Sequence, residues 1–278
     1  MKRDNPSPAE AVSPPLNLPL SISIIAMNEE ARLGRCLESV SGLGREIIVV
    51  DSGSTDETQQ IAEHYGARFI HNDWPGHVAQ KNVALSYCTQ PWVLSLDADE
   101  ALDKELSQAV RGIIEADGPK AGYEMNRLTW FLGDWVWHAW QPEWRLRLVR
   151  REGAEWRGMD PHDYLTIPGR SGRISGYLLH FSFWNLEHFS RKIVDYGVIS
   201  GDSLTDRGKK PGLRQLLGSP LARFIKTLLL RGGWRDGWRG VLIAYMTLMS
   251  GVLKYGFAME AQMPGARRTL EEIRKKES

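Results

Sequence analysis

"VLSLDADE", residues 93–100, runs an apolar stretch straight into three acids. Burying even one unpaired carboxylate is costly. Asp97, Asp99 and Glu100 at the end of such a strand therefore imply a surface turn, a bound cation, or basic partners supplied from elsewhere in the chain. The flanking sequence sets the strand in a repeating pattern. "SISIIAM" (21–27) reads as a first strand, and Leu33, Leu37 and Val40 follow at helical spacing. "EIIVV" (46–50) is a second strand, and Ile61, Ala62 and Tyr65 mark a helix opened by Thr55 with acids in its first turn. "ARFI" (67–70), a helix over 77–88, "WVLSL" (92–96) and a helix over 103–116 complete the run. This β-α alternation predicts a parallel sheet covered by helices.

Beyond residue 120 the pattern loosens into strands at "GYEMNRLTW", "RLRLVRR" and "GRISGYLLHF", separated by tryptophan-rich loops, before helix returns over about 186–206. The last third reads as two apolar helices joined by a Gly/Trp/Arg turn. Its longer apolar run, Val241 to Leu253, has 13 residues, short of the roughly 20 that span a bilayer. Residues 1–20 are proline-rich and lack the apolar core of a secretion signal, so they read as a disordered tail on a cytosolic protein. The expected division is tail 1–20, α/β domain 21–205 and helical region 206–278. Cys36 and Cys88 fall in predicted helices without metal-ligand spacing and are assigned no chemistry.

At 42% hydrophobic and 25% charged residues the composition is that of a globular protein and excludes general disorder. The net charge of +1 conceals an asymmetry: residues 21–120 carry 8 Lys/Arg against 16 Asp/Glu, and residues 201–278 carry 15 against 7. One end suits a cation and the other an anionic surface.

Open α/β sheets bind ligands beyond the carboxyl ends of their strands. Three such ends are loaded with polar groups here: Asn28, Glu29 and Glu30 after strand one, "DSGSTD" with Asp51 and Asp56 after strand two, and "DADE" after strand four. Asp51 sits where a dinucleotide enzyme keeps its ribose-binding acid, but "AMNEEARLG" has no Gly-x-Gly turn to receive a pyrophosphate. A divalent cation held by Asp97 and Asp99 would neutralise a diphosphate instead.

"SIIAMNEEARLGRCLESV", "EIIVVDSGSTDETQQIAEHYGA", "WPGHVAQKNVAL" and "WVLSLDADE" resemble the nucleotide-sugar domain of glycosyltransferase family 2, inverting enzymes with a GT-A fold. The resemblance covers about residues 21–130. It implies that Asp97 and Asp99 meet Mg²⁺ or Mn²⁺ and the sugar nucleotide, that Asp51 reads the uracil edge, and that Asn28, Glu29 and Glu30 line the nucleoside pocket. It also puts Lys81 near the donor, although a lysine on a helix surface fits that position equally well. The second half is similar to the branch of bacterial enzymes that add sugars to the lipopolysaccharide inner core, through "PHDYL" and "GYLLHFSFWNLEHFSRKI". There Asp163 stands where glutamate is usual, as the base that deprotonates the acceptor, with Asp160 close by as a competitor. His180 would complete the metal or phosphate shell, and Arg145 and Arg147 are candidates for phosphate contact.

The resemblance thus implies an α/β fold, a GT-A-type parallel-core sheet flanked by helices with a C-terminal helical extension at a membrane interface. The implied enzyme is metal-dependent and transfers a hexose, glucose from UDP-glucose, to a lipid-linked saccharide acceptor at the cytosolic face of the inner membrane. No nucleic-acid partner is expected. Two other classes remain open: a catalytically silent sugar-nucleotide-binding protein, and a membrane-associated interaction protein using only the basic C-terminal third. Trp130, Trp135, Trp137, Trp140, Trp144 and Trp156 crowd one region, as sugar-stacking faces or as core.

Overall fold

The computed structural model describes residues 5–10, 16–159, 162–183 and 185–263, and falls into two compact units. The first comprises residues 1–129 and 142–182, the second residues 130–141 and 183–278. The division does not fall at residue 205. Helix 186–206 joins the C-terminal helices because its apolar face packs there, and a short excursion of the chain, 130–141, goes with it.

The first unit opens with the expected alternation: β1 (Leu18–Ala26), α1 (Leu33–Val40), β2 (Gly44–Asp51), α2 (Thr58–His64), β3 (Arg68–His71), α3 (His77–Ser86) and β4 (Trp92–Asp97). The strands β3-β2-β1-β4 lie in that order, all parallel. Their near-continuous apolar runs are buried on both faces, as in parallel sheets generally; Leu20, Ile22, Ile24, Val49, Val50 and Leu94 are all fully buried. Because β2 and β4 flank β1 on opposite sides, the carboxyl ends of β1, β2 and β4 meet at a topological switch point.

The chain then makes a turn through Ala98 and Asp99 into β5 (Glu100–Leu102), continues through α4 (Lys104–Glu115), and adds β6 (Gly122–Phe131), β8 (Trp144–Arg150) and β11 (Ser171–His180). The sheet extends as β4-β8-β6-β11-β5, with β8 antiparallel to both β4 and β6 and β5 antiparallel to β11. This parallel core with an antiparallel extension is the GT-A-type sheet implied by the resemblance. A separate two-stranded ladder joins β9 (Glu155–Met159) and β10 (His162–Thr166). The short strands β5, β9 and β10 carry no clear period-two signal and were not anticipated. They exist because β11 and one another offer unpaired backbone groups.

Two expectations are corrected here. Within the supposed tail, Pro8 bridges to Asp103, the Ala9 amide donates to the Leu102 carbonyl at 2.8 Å, and Ala9 is buried. Residues 18–20 belong to β1. The strand edge takes a backbone partner whatever the local composition. Cys88 lies beyond the end of α3 rather than within it. Burial pushes its thiol up to about 12, and burial followed by the nearby Glu100 raises that of Cys36 well above the usual value, so both stay protonated.

β11 shifts register between Arg173 and Tyr177, and Gly176 in that irregularity has φ +87°. A Cβ at Gly176 would lie 2.2 Å from the Leu106 amide nitrogen at the start of α4. Gly176→Ala is therefore expected to cost about 3 kcal/mol or more, from positive φ and overpacking against backbone together. A urea midpoint within experimental error of the parent protein would contradict this.

In the second unit the hairpin strand β7 (Asp134–Trp135) pairs with the end of β6, and α5 (Leu186–Asp206), α6 (Leu213–Ile225) and α7 (Gly237–Glu260) follow, with a π-helical segment Lys226–Leu230 and a 3₁₀ turn Gly233–Asp236 between the last two. Its core is aromatic: Phe131, Trp140, Phe183 and Phe189 make mostly edge-on contacts with centroids 4.6–6.0 Å apart. Trp135 is buried here and Trp156 in the first unit, so for these two core packing is the observed role. Asp236 pins the 130–141 excursion by accepting from the backbone amides of Trp137, His138 and Ala139 at 2.8–3.0 Å. α7 is 24 residues long, well beyond the 13-residue run read from sequence, because Trp238 and Arg239 before that run and Lys254, Tyr255, Phe257 and Ala258 after it continue the helix with no proline to stop it. It is the one helix among the described residues that is long and apolar enough to cross a membrane by length and composition.

Candidate active site

The acids of "DADE" occupy the turn between β4 and β5, and the sheet register decides what surrounds them. Glu100 pairs with His180 across the β5/β11 ladder, and His180 pairs with Thr129 across β11/β6. β8 runs beside β4 and brings Arg147 to the same place. Arg147 is 4% exposed and donates through one nitrogen to Asp97 Oδ2 at 2.7 Å and to Glu100 Oε1 at 2.8 Å. Arg127 of β6 reaches Glu100 Oε1 at 3.4 Å and is anchored by Glu143 at 2.6 Å.

Lys81 of α3 is a third basic partner. It is 6% exposed, so the helix-surface reading of this lysine is excluded. Its Nζ lies 2.7 Å from Asp97 Oδ1, 2.6 Å from Asp163 Oδ2 and 4.3 Å from the centroid of the Trp156 ring. The basic partners that make buried acids tolerable thus come from the protein itself: Lys81, Arg147 and Arg127. Burial works to raise the Asp97 pKa, but Lys81 and then Arg147 hold it well below the usual carboxylate range. Burial likewise opposes the Arg147 charge, which Glu100 and Asp97 more than restore.

Asp99 is held more loosely. Its Oδ2 is 3.5 Å from His180 Nε2 and 3.8 Å from Arg32, and its backbone carbonyl accepts from the Phe181 amide at 2.9 Å. Burial pushes its pKa up and His180 pulls it down, to about 2, so it is a carboxylate at neutral pH. His180 Nδ1 is hydrogen-bonded to Thr129 Oγ1 at 3.1 Å, which orients Nε2 toward Asp99. A ring nitrogen fixed in this way is the usual support of a metal-binding histidine.

Among the described residues no group of three or more His, Cys, Asp and Glu side chains is arranged to hold a metal ion. Mg²⁺ asks for less, since it commonly takes one or two carboxylates and fills its remaining positions with water and substrate phosphate. Asp99 supplies one such carboxylate, and the His180 imidazole beside it is a nitrogen donor of the kind transition metals accept more readily than Mg²⁺ does. Asp97, the other expected ligand, has both oxygens engaged by Lys81 and Arg147.

The residues expected around a nucleoside brace two loops against each other. Asn28 adopts φ +53°, accepts from the Thr55 amide at 2.9 Å through Oδ1, and donates its own amide to Ser54 Oγ at 2.8 Å. The Glu29 and Glu30 amides donate to Thr58 and Asp56, and Glu30 Oε2 accepts from the Glu57 amide at 3.1 Å. The Glu29 carboxylate grips Arg32 in a two-pronged pair at 2.6 Å. Asp51 is 2% exposed; it accepts from the amides of Gly53 and Ser54 at 2.8 Å and from the Ser54 hydroxyl. Arg145 is bonded to Glu143 at 2.6 Å and is 42% exposed, unlike the enclosed Arg147. Asp160 lies outside the described residues.

Sequence reasoning missed Arg127, Glu143 and Gln80. Gln80 is fully buried and ties Ser52 to Asn72, at 2.9 and 2.6 Å. A faint signal existed for Arg127, an arginine amid the apolar residues of β6. For Gln80, one turn-facing residue of an ordinary helix, there was none.

The family model for glycosyl transferase family 2 matches residues 21–166, more than half of the chain, from within β1 to the end of β10, the stretch that carries these acids. The chain belongs to glycosyltransferase family 2. It is similar to the lipopolysaccharide core biosynthesis glycosyltransferase LpsC of Rhizobium meliloti (strain 1021), at 33% identity over 88% of this chain and 92% of that one. An uncharacterized glycosyltransferase of Rickettsia typhi, RT0209, is 30% identical over 80% of each chain. Among solved structures, Staphylococcus aureus TarS residues 1–349 aligns with a TM-score of 0.45 at 16% identity, covering 88% of this chain and 91% of that one. As a family 2 glycosyltransferase the protein is an enzyme that transfers sugar, so a pure interaction role is set aside.

Proposed function

We propose that this glycosyltransferase moves glucose from UDP-glucose, with inversion, onto a sugar of the lipopolysaccharide core or a similar lipid-linked glycan, at the cytosolic face of the inner membrane. The acceptor class draws support from the name of the Rhizobium relative. The observation that carries the reaction is the Lys81 bridge: one ammonium joins Asp97, at the donor-type acid turn, to Asp163 on the β9/β10 ladder, within 2.7 Å of each. This juxtaposition supports a reading in which a base for the acceptor stands beside a cation for the departing diphosphate.

In this reading Asp163 takes the acceptor hydroxyl proton while that oxygen attacks the anomeric carbon, and the bond to the diphosphate breaks on the opposite face. Lys81 and the half-buried Arg145 meet the negative charge that develops on the leaving group. Asp97 keeps Lys81 and Arg147 in place. Asn28, Glu29, Glu30 and Asp51 shape the nucleoside pocket through the braced loops, with Asp51 reading the base edge. Asp99 and His180 would hold Mg²⁺ or Mn²⁺, which supplies further neutralisation of diphosphate charge.

Incubation with a panel of sugar nucleotides should release nucleoside diphosphate fastest from UDP-glucose; faster release from another donor would overturn the donor assignment. Asp99→Asn is expected to lower that release by about 10²-fold or more, because a ligand charge is lost. Its thermal midpoint should change little, since its partners stand 3.5–3.8 Å away. Undiminished activity in EDTA would remove the cation from this reading, and tight UDP-glucose binding without any turnover would favour a silent binding protein.

A further inference from the structure

The outward face of the helical unit is wrong for water. On α6, Leu213, Leu217, Leu221 and Ile225 recur every fourth residue and are exposed, Leu217 at 66%. The π-helical segment continues the pattern with Leu229 and with Leu230 at 80% exposure. On the 3₁₀ turn and α7, Trp234, Trp238, Tyr245 and Met249 are likewise exposed. A helix on a soluble surface normally turns polar groups outward.

These residues are not waiting for a place in the unit's own core, because α7 already buries another face and α6 meets it through buried Pro220 and half-buried Leu216 and Phe224. Ile243, Ala244 and Met246 point inward from α7, Gly251 receives Pro220 of α6, and Gly197 and Gly201 let α5 approach Leu253 and Phe257 closely. The chain leading into this face is basic, and the Asp236 that follows is buried against His138. From Arg207 to Arg235 the chain carries eight Lys/Arg and no Asp/Glu. Exposed leucine and tryptophan interleaved with cations fit an anionic lipid headgroup layer. A second copy docking through the same patch would set these eight cations against eight more. Spanning fits poorly, although α7 is long enough: it is packed along α5, whose Arg191, Lys192, Asp195 and Asp202 would follow it into hydrocarbon.

We infer that α6, the π-helical segment and the exposed side of α7 form a surface that lies in the headgroup layer of an anionic bilayer. This names the membrane-contacting elements of the function proposed above. Its bearing on turnover rests on that reading, whereas its affinity for vesicles does not.

The test is co-sedimentation of the full chain with phosphatidylglycerol/phosphatidylcholine vesicles and with phosphatidylcholine vesicles alone. Binding should be at least about tenfold tighter to the anionic vesicles and should weaken as salt rises. Leu217→Ser/Leu221→Ser and, separately, Arg223→Gln/Lys226→Gln should each weaken it about tenfold or more, while UDP-glucose hydrolysis in the absence of vesicles stays at the parent level. Absence of vesicle binding, equal binding to both compositions, or a solution dimer that the serine pair dissociates would overturn the inference. Vesicle binding that persists without any nucleoside diphosphate release would count against the glycosyl-transfer reading and leave the surface standing.

Discussion

Asp163→Asn is expected to lower kcat by about 10² to 10⁴-fold, the usual contribution of a general base, with UDP-glucose affinity changed only slightly. Asparagine fills the same space and can still accept a hydrogen bond from Lys81, now 2.6 Å from the carboxylate. The lysine also keeps its 2.7 Å pair with Asp97 and its place over the Trp156 ring. Donor-side charge is therefore preserved, and what disappears is the site that receives the acceptor proton. Steady-state kinetics should show the loss in kcat, and calorimetric titration with UDP-glucose should show a nearly unchanged Kd. If Asp163→Asn were nearly silent and Asp160→Asn produced this pattern, the base would be Asp160.

Glu100→Ala should cost about 3 kcal/mol of stability. Glu100 is fully buried, accepts from Arg147 at 2.8 Å and Arg127 at 3.4 Å, and its other oxygen accepts the Asp97 amide at 3.0 Å. Removing one partner of a buried pair leaves charge without compensation, which typically costs about 3–5 kcal/mol. The lower end applies because Arg147 retains Asp97 at 2.7 Å and Arg127 retains Glu143 at 2.6 Å. Urea unfolding should show a lower midpoint at unchanged slope. Adding Arg147→Met to Glu100→Ala should cost less than the two single changes summed, since the first removes the group that the second would leave unpaired. A loss under about 1 kcal/mol would mean that water reaches this cluster and screens it.

The contrast between Glu100 and Asp99, one residue apart, shows the limit of reading the acids as one motif. Glu100 faces the interior and neutralises two arginines. Asp99 sits in the turn, loosely paired to His180, and is the acid with capacity for a further partner. The strand that carries Glu100 exists only because β11 returns to pair with it, 80 residues later in the chain at His180.

The sequence by itself determined the parts that depend on local periodicity. The β-α alternation, the carboxyl-end position of "DADE" and the helix at about 186–206 follow from apolar runs and spacings within some twenty residues, and each is present in the fold. Tertiary structure alone decided what neutralises the acids, which depends on pairing register and on ion pairs between distant segments. Lys81 comes from α3, Arg127 from β6, Arg147 from β8 and Asp163 from a two-stranded ladder, and no local pattern links them. It also decided that Pro8 and Ala9 cap a strand edge. Buried backbone and buried charge must find partners wherever the chain supplies them, and that demand acts through space, with no regard for distance along the sequence.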